Sequence, residues 1–290
     1  MFSPKILDFK TDSMKLRSAI TVSLVPEASG GPFVFWSGLA DACCTASRLG
    51  FDAIEIFPPN ADALDLVELR RLLCEFRLGV AAIGSGGGWV IHRWTLTHAN
   101  PAIRVAAREF IRGIIDLAAS LGAPAILGSM QGKAEGDISR DQALRWLGEA
   151  LEDLGEHAGK LGQVFLYEPL NRYETNLLNR LGQTAEWLGT LRTSNIRILA
   201  DLFHMNIEES DSALAIRQIG SMLGHLHFAD SNRQAIGFGQ TDAEKIYAEL
   251  DRVGYSGFLS AEILPLPNSL AAAEQTIDAF KNLTSPRPDA

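Results

Sequence analysis

Four short apolar runs in the second half of the chain each lead into a residue that can bind a metal. Val164–Tyr167 leads into Glu168, Ile196–Ala200 into Asp201, Leu223–Leu226 into His227 and Phe258–Ala261 into Glu262. These four residues lie 33, 26 and 35 positions apart, about the length of one strand-loop-helix-loop unit. Residues at the carboxyl ends of successive parallel strands converge on one point when the sheet closes into a barrel. This repetition narrows the choice of folds more than any other feature.

The same alternation runs through the whole chain. Earlier strand candidates are Ala19–Ser23, Ala53–Phe57, Gly79–Ile83 and Ala125–Gly128. Several are rich in Ile, Val and Leu, as strands buried on both faces must be. Between them stand helix signals. Asn100-Pro101 reads as an N-cap and first helical residue, with Gly122 as the stop. Ser139 with Gln142, and Thr241 with Glu244, read as capping boxes, and Asn268 caps a last helix. Eight such units without a linker predict an α/β fold, a single (β/α)8 TIM barrel domain over residues 1–290. Its active site is expected at the C-terminal ends of the strands. Residues 1–16 read as an N-terminal extension and 284–290 as a frayed tail.

Composition excludes some functions. With 26 basic against 35 acidic residues the net charge is −9, the wrong sign for a surface built on phosphate backbones. No nucleic-acid partner is expected. Cys43, Cys44 and Cys74 show no CxxC spacing, which predicts reduced thiols in a cytoplasmic protein. No signal-like segment opens the chain and no apolar run is long enough to span a bilayer, so no membrane partner is expected.

Any one of the four acids or imidazoles can be read as a strand-end residue that caps the next helix. Four at matched positions of consecutive strands point instead to a metal centre. Three carboxylates and one imidazole suit Mn²⁺, with Co²⁺ or Mg²⁺ as alternatives, better than a structural Zn²⁺ site. His204 lies three residues past Asp201, and Arg233 just past His227, both at the barrel mouth. Glu174, six residues past Glu168, is placed to accept hydrogen bonds from substrate hydroxyls. The alternatives are a backbone-bonded histidine, a surface arginine and a solvated acid. His225 shares a strand face with His227 and reads as a deeper, supporting histidine. Glu55 is either inward-facing or at a strand end. Gly84–Gly88 lacks phosphate-loop spacing and reads as a flexible loop. Trp89 and Trp94 are candidate walls of the site. His92, His98 and His157 read as unpartnered surface residues.

The motifs resemble the sugar isomerase/epimerase family of xylose-isomerase-like TIM barrels. The nearest likeness is to ketose 3-epimerases of the D-tagatose and D-psicose type and to hydroxypyruvate-isomerase-like proteins. They are Tyr167-Glu168-Pro169-Leu170-Asn171-Arg172-Tyr173-Glu174 with Leu178-Asn179, then Asp201-Leu202-Phe203-His204-Met205-Asn206-Ile207-Glu208-Glu209, His225-Leu226-His227 running to Ser231-Asn232-Arg233, and Ala261-Glu262. The resemblance implies that Glu168, Asp201, His227 and Glu262 hold one divalent cation. It implies that Glu168 and Glu262 are also the acid/base pair, and that His204, Arg233 and Glu174 hold substrate oxygens. Homodimers and homotetramers are common in the family. Many relatives carry a Pro-Gly-x-Gly turn after the arginine, where this chain has Ile236-Gly237-Phe238-Gly239. The first four strands carry no matched motif, so the sugar stays open.

The expected chemistry is epimerisation or isomerisation of an unphosphorylated ketose, or of a small hydroxy-carbonyl compound, through an enediolate. C3 epimerisation is favoured. An inosose or dehydroshikimate dehydratase would use the same four ligands. An apurinic-endonuclease-like hydrolase would want a basic face and more ligands in the first four strands. A non-catalytic binding barrel would have no use for paired glutamates on a metal.

Overall fold

Strands and helices alternate along residues 16–285, the part of the chain that the computed structural model describes. The strands are β1 (Arg17–Ser23), β2 (Ala53–Phe57), β3 (Gly79–Gly84), β4 (Ala125–Leu127), β5 (Phe165–Tyr167), β6 (Ile196–Asp201), β7 (Leu223–His227) and β8 (Phe258–Ala261). All pair in parallel with their neighbours, and β8 returns to pair with β1, closing the barrel. The helices are α1 (Leu39–Leu49), α2 (Leu66–Phe76), α3 (Gly87–His92), α4 (Pro101–Ser120), α5 (Arg140–Lys160), α6 (Leu181–Leu188), α7 (Leu202–Glu208), α8 (Ser212–Ile219), α9 (Ala243–Arg252) and α10 (Ser269–Thr284). One long helix follows each strand. The short α3 and α7 are extra, set in the loops after β3 and β6.

Strand geometry explains where the core sits. Side chains alternate between the barrel interior and the helical layer. Leu166 and Leu199 pack with Ala82 and Ile126 in one small buried cluster, and Ala19, Ala53 and Ala81 form another. Two residues further along the same strands, on the same face, stand Glu168, Asp201 and Glu55. The opposite parity, including Phe165, Tyr167, Ile198 and Ile20, packs in the large core that also takes in the helix faces. β2, β5 and β6 thus carry apolar residues below and a carboxylate above, at the carboxyl end.

The helix signals fare unequally. Asn100 accepts from the Ala102 amide at 2.9 Å and Asn268 from Ala271 at 2.9 Å. Ser139 accepts from the Gln142 amide at 3.2 Å, but the Gln142 side chain turns to Arg145, so the box closes on one side. Thr241 is not the cap of α9; Asp242 is, accepting from Lys245 at 3.0 Å. A carboxylate one residue later is the stronger acceptor.

The ends also differ from expectation. Residues 1–15 and 286–290 lie outside the described residues, with most of the expected extension and tail. Leu16, counted in the extension, is buried in the core. Thr284 is the last residue of α10 and its hydroxyl donates to Phe280 O at 2.8 Å.

The glycine run 84–88 is not a flexible loop. It ends β3 and opens α3. A Cβ on Gly84 would lie 2.2 Å from the Phe57 ring, so the residue is glycine because the neighbouring strand's aromatic occupies the space. Gly84→Ala is expected to cost about 1–3 kcal/mol through overpacking, seen as a melting temperature lower by several degrees. An unchanged melting temperature would show that Phe57 moves freely.

Candidate metal and sugar site

Glu168, Asp201, His227 and Glu262 meet at the carboxyl end of the barrel. Each offers one ligand atom, and these atoms all lie within 4.8 Å of one another. His227 Nδ1 is 3.4 Å from Asp201 Oδ2, 3.5 Å from Glu168 Oε1 and 3.8 Å from Glu262 Oε2. Asp201 and His227 are register partners on adjacent strands, which sets their closeness. All four are buried. Glu168 Oε1, Asp201 Oδ2 and His227 Nδ1 make no hydrogen bond within the described chain. Buried polar atoms left unpaired this way are rare and call for a ligand. Metal bonds of roughly 2.0–2.2 Å place neighbouring ligand atoms about 3–3.5 Å apart, so the donor set fits a divalent cation.

The helix-cap reading of the aspartate also proves true in part. Asp201 Oδ1 accepts from the Phe203 amide at 2.7 Å and caps α7, while Oδ2 faces the cluster. One side chain does both. Gly128, just past β4, leaves the room: a Cβ there would lie 2.6 Å from Glu168 Oε2.

Glu55 points inward. Its two oxygens take His225 Nε2 at 2.6 Å and His227 Nε2 at 3.0 Å. A carboxylate on Nε2–H fixes the His227 tautomer, so that Nδ1 presents its lone pair to the cluster. Burial alone would push the Glu55 carboxyl upward, but the charges of His227 and His225 outweigh it and hold it well below the ordinary range. Burial opposes charge on His227 too, yet Glu55 and Glu262 beside it raise its pKa well above the usual value. Positive charge is strongly favoured at this point, whether a proton or a cation carries it. Glu262 is raised to about 7 by burial, with Glu168 and Asp201 adding repulsion against the pull of His227 and Arg233.

The expected substrate contacts surround the cluster. His204 Nε2 is 3.7 Å from both Glu168 Oε1 and Asp201 Oδ2, outside hydrogen-bond reach. Its Nδ1 accepts from Asn171 Nδ2 at 2.8 Å, leaving an Nε2–H aimed at the cluster. Arg233 Nη2 bonds Glu262 Oε2 at 2.6 Å, and its guanidinium lies 4.8 Å over the Phe203 ring. Glu174 accepts from Asn171 at 3.0 Å and stands 3.9 Å from Arg233 Nη1. A cavity of 260 Å³ opens above, lined by Glu168, Glu174, Arg233 and Glu262 on one side and by Phe33, Phe57 and Trp89 on another.

Other assignments change. Trp89 walls the cavity, but Trp94 packs on His92 and Phe110 and lines no part of it. His157 is not unpartnered: its Nε2 lies 2.6 Å from Asp116. His98 Nδ1 accepts from Asn100 N at 3.0 Å.

Three supporting residues give no clear sequence signal. Gln131 donates to the backbone oxygens of Gly128 and Glu168 at 3.0 and 2.9 Å while Tyr167 donates to it at 2.5 Å. Glu208 takes the Arg172 amide at 2.6 Å and Arg172 Nε at 2.9 Å, tying the first motif to the second. Asp230 accepts from the amides of Ser231, Gly237, Gly239 and Thr241 at 2.7–2.9 Å. The Ile236-Gly237-Phe238-Gly239 turn is thus held by a carboxylate.

The chain belongs to the xylose isomerase-like TIM barrel family, whose model matches residues 45–283. It is similar to L-ribulose 3-epimerase of Mesorhizobium japonicum, 33% identical over 230 residues, which cover 78% of this chain and 75% of that one. L-ribulose 3-epimerase of a Methylomonas species is 29% identical over 243 residues, 80% of this chain and 83% of the relative. The crystal structure of D-allulose 3-epimerase from Methylomonas in complex with D-allulose superposes with a TM-score of 0.78 at 25% identity, covering 93% of this chain and 97% of the other. Epimerases are isomerase-class enzymes, the class that the motifs imply.

Asp230 orients Arg233 as well, since the Arg233 amide donates to Asp230 O at 2.8 Å. Burial would raise its carboxyl, but the backbone amides led by Thr241 and Ser231 outweigh it and lower the pKa. That stabilisation is full above the ordinary carboxylate range and is lost as pH falls below it. Asp230→Ala is expected to cost on the order of 2–3 kcal/mol at pH 7, and less at pH 3. Melting curves at the two pH values check this; an equal loss at both would contradict it.

Proposed function

We propose that the chain is a divalent-metal-dependent epimerase that inverts C3 of an unphosphorylated ketose through an enediolate. The observation that carries the reading is the buried convergence of Glu168, Asp201, His227 and Glu262 beneath a cavity. Its similarity to enzymes named L-ribulose 3-epimerase and D-allulose 3-epimerase supports the reaction type. When bound there, a cation such as Mn²⁺ supplies Lewis acidity that stabilises negative charge on the substrate oxygens.

The chain's own residues handle the protons. Glu168 and Glu262 stand just past β5 and just past β8, so they approach a substrate in the cavity from different sides. One carboxylate takes the C3 proton and the other, protonated, returns one to the opposite face. The pair ends with its proton exchanged and is reset through solvent. His204 Nε2–H donates to the developing oxyanion and Arg233 offsets its charge. Glu174 accepts from a substrate hydroxyl. Among the described residues lining this cavity Arg233 is the one basic side chain, and Glu262 already pairs with it. That favours a substrate without phosphate.

Two experiments test this reading. With Mn²⁺ in deuterated water, the wild type is expected to place deuterium at C3 of the recovered ketose and to form its epimer. Glu262→Gln is expected to lose most conversion while retaining the fold. Wild-type turnover in that variant would refute the two-glutamate scheme, and deuterium elsewhere would point to isomerisation or dehydration.

Glu55→Gln keeps the volume but removes the charge and places a donor against one of the two histidines, where each needs an acceptor. It is expected to weaken Mn²⁺ affinity about 10–100-fold in calorimetry. Unchanged affinity would mean that Glu55 does not set the His227 tautomer.

A further inference from the structure

The cavity above the cluster abuts a second one of 410 Å³. Trp89, Ser129 and Glu174 line both, so the two share walls. The outer cavity is built by three loops at the barrel mouth: residues 93–99 after α3, 129–138 after β4 and 170–174 after β5. They are stitched together beneath it. Leu96 N donates to Met130 O at 2.8 Å and Thr97 Oγ1 to Lys133 O at 3.1 Å. Thr175 Oγ1 donates to Gly132 O at 2.7 Å, and Asn176 exchanges two bonds with Ala134 at 2.9 Å. A cavity tied together this way is formed before any ligand arrives.

Its chemistry is that of a neutral polyhydroxylated ring. Trp89 and Tyr173 offer aromatic surface, with Leu170 and Ile138 beside them, and Thr95 and His98 supply polar edges. The charges are mixed, Arg93 and Lys133 against Glu135 and Glu174. Lys133 Nζ is 3.5 Å from Glu135, and the Arg93 guanidinium lies 4.8 Å over the Trp89 ring. A phosphate or carboxylate receptor would instead gather uncompensated cations. The outer cavity is the larger of the two and lies beside the one that opens on the cluster. Binding energy from a remote, unreacting part of a substrate holds the reacting part in place.

We propose that the outer cavity is a subsite for a glycosyl substituent, so that the preferred substrate is a ketose carrying a second sugar ring. The inference rests on the epimerase reading and narrows its substrate class. Ring and ketose would meet at the shared wall of Trp89 and Ser129, with the linkage on the part of the ketose remote from C2 and C3.

The test compares kcat/KM of the Mn²⁺-loaded enzyme on free ketoses (D-fructose, D-tagatose, L-ribulose) and on glycosyl ketoses with a free C3 hydroxyl, namely 6-O-glucosyl-fructose and 5-O-glucosyl-fructose. At least one glycosyl ketose is expected to exceed every free ketose by roughly tenfold or more, about 1.4 kcal/mol. Tyr173→Ala and Ala99→Trp are expected to bring that ratio near one, the first by removing an aromatic wall and the second by filling the cavity. Tyr173 is 82% exposed and Ala99 is also on the surface, so neither change threatens folding. Epimerisation of free ketoses with no glycosyl preference, or a ratio that both variants leave intact, would overturn the subsite and leave the epimerase reading standing. A preference for ketose phosphates that Lys133→Ala abolishes would overturn it in favour of an anion. Absence of metal-dependent C3 exchange on every sugar would overturn the epimerase reading, and the subsite with it.

Discussion

Three carboxylates held out of water around one imidazole repel one another, and everything at the barrel mouth answers to that. The barrel forces the meeting, because Glu168, Asp201, His227 and Glu262 are carried to one level by four consecutive parallel strands, β5 and β6 being fixed below by the apolar cluster of Leu166 and Leu199. Positive charge is the remedy, and the chain supplies it from two directions. Arg233 closes on Glu262 from above. His227 stands in the middle, held from below by Glu55. A divalent cation concentrates more charge at that point than a proton can.

The same arrangement explains why the supporting residues are buried acids and amides. Glu55 can remain ionised in the barrel interior because two histidines face it. Asp230 can remain ionised in its turn because four backbone amides converge on it. Asn171 fixes His204 and Glu174 together, with one amide group serving both. Each device removes a degree of freedom from a group that touches the cavity, which is what a reaction at a defined carbon needs.

Much of this was legible in the sequence because strand ends are. A run such as Ile196–Ala200 followed by Asp201 states both a buried strand and the residue that leaves it. Four repeats place the residues around one axis. Glu55 was not assignable, since the two-residue period says that it shares a face with Ala53 and Phe57 but not which face is inside. That is settled by the pairing with β1 and β3. Asp230 looks like any loop acid until its turn is folded back on it, and Gln131 looks like surface. Trp94 was read as a wall beside Trp89, but α3 sends it outward onto Phe110. The outer cavity belongs to three loops distant in sequence, so no local pattern announces it. The Thr241 cap failed by one residue because the competing carboxylate of Asp242 binds the helix end better.

The central claim is that the four converging side chains form one cation site. A crystal soaked in Mn²⁺ and measured for anomalous scattering tests it directly. The account expects a single peak bounded by Glu168, Asp201, Glu262 and His227 Nδ1, at roughly 2.0–2.3 Å from each ligand atom. A peak between Glu55, His225 and His227 instead, or none at saturating metal, would contradict it.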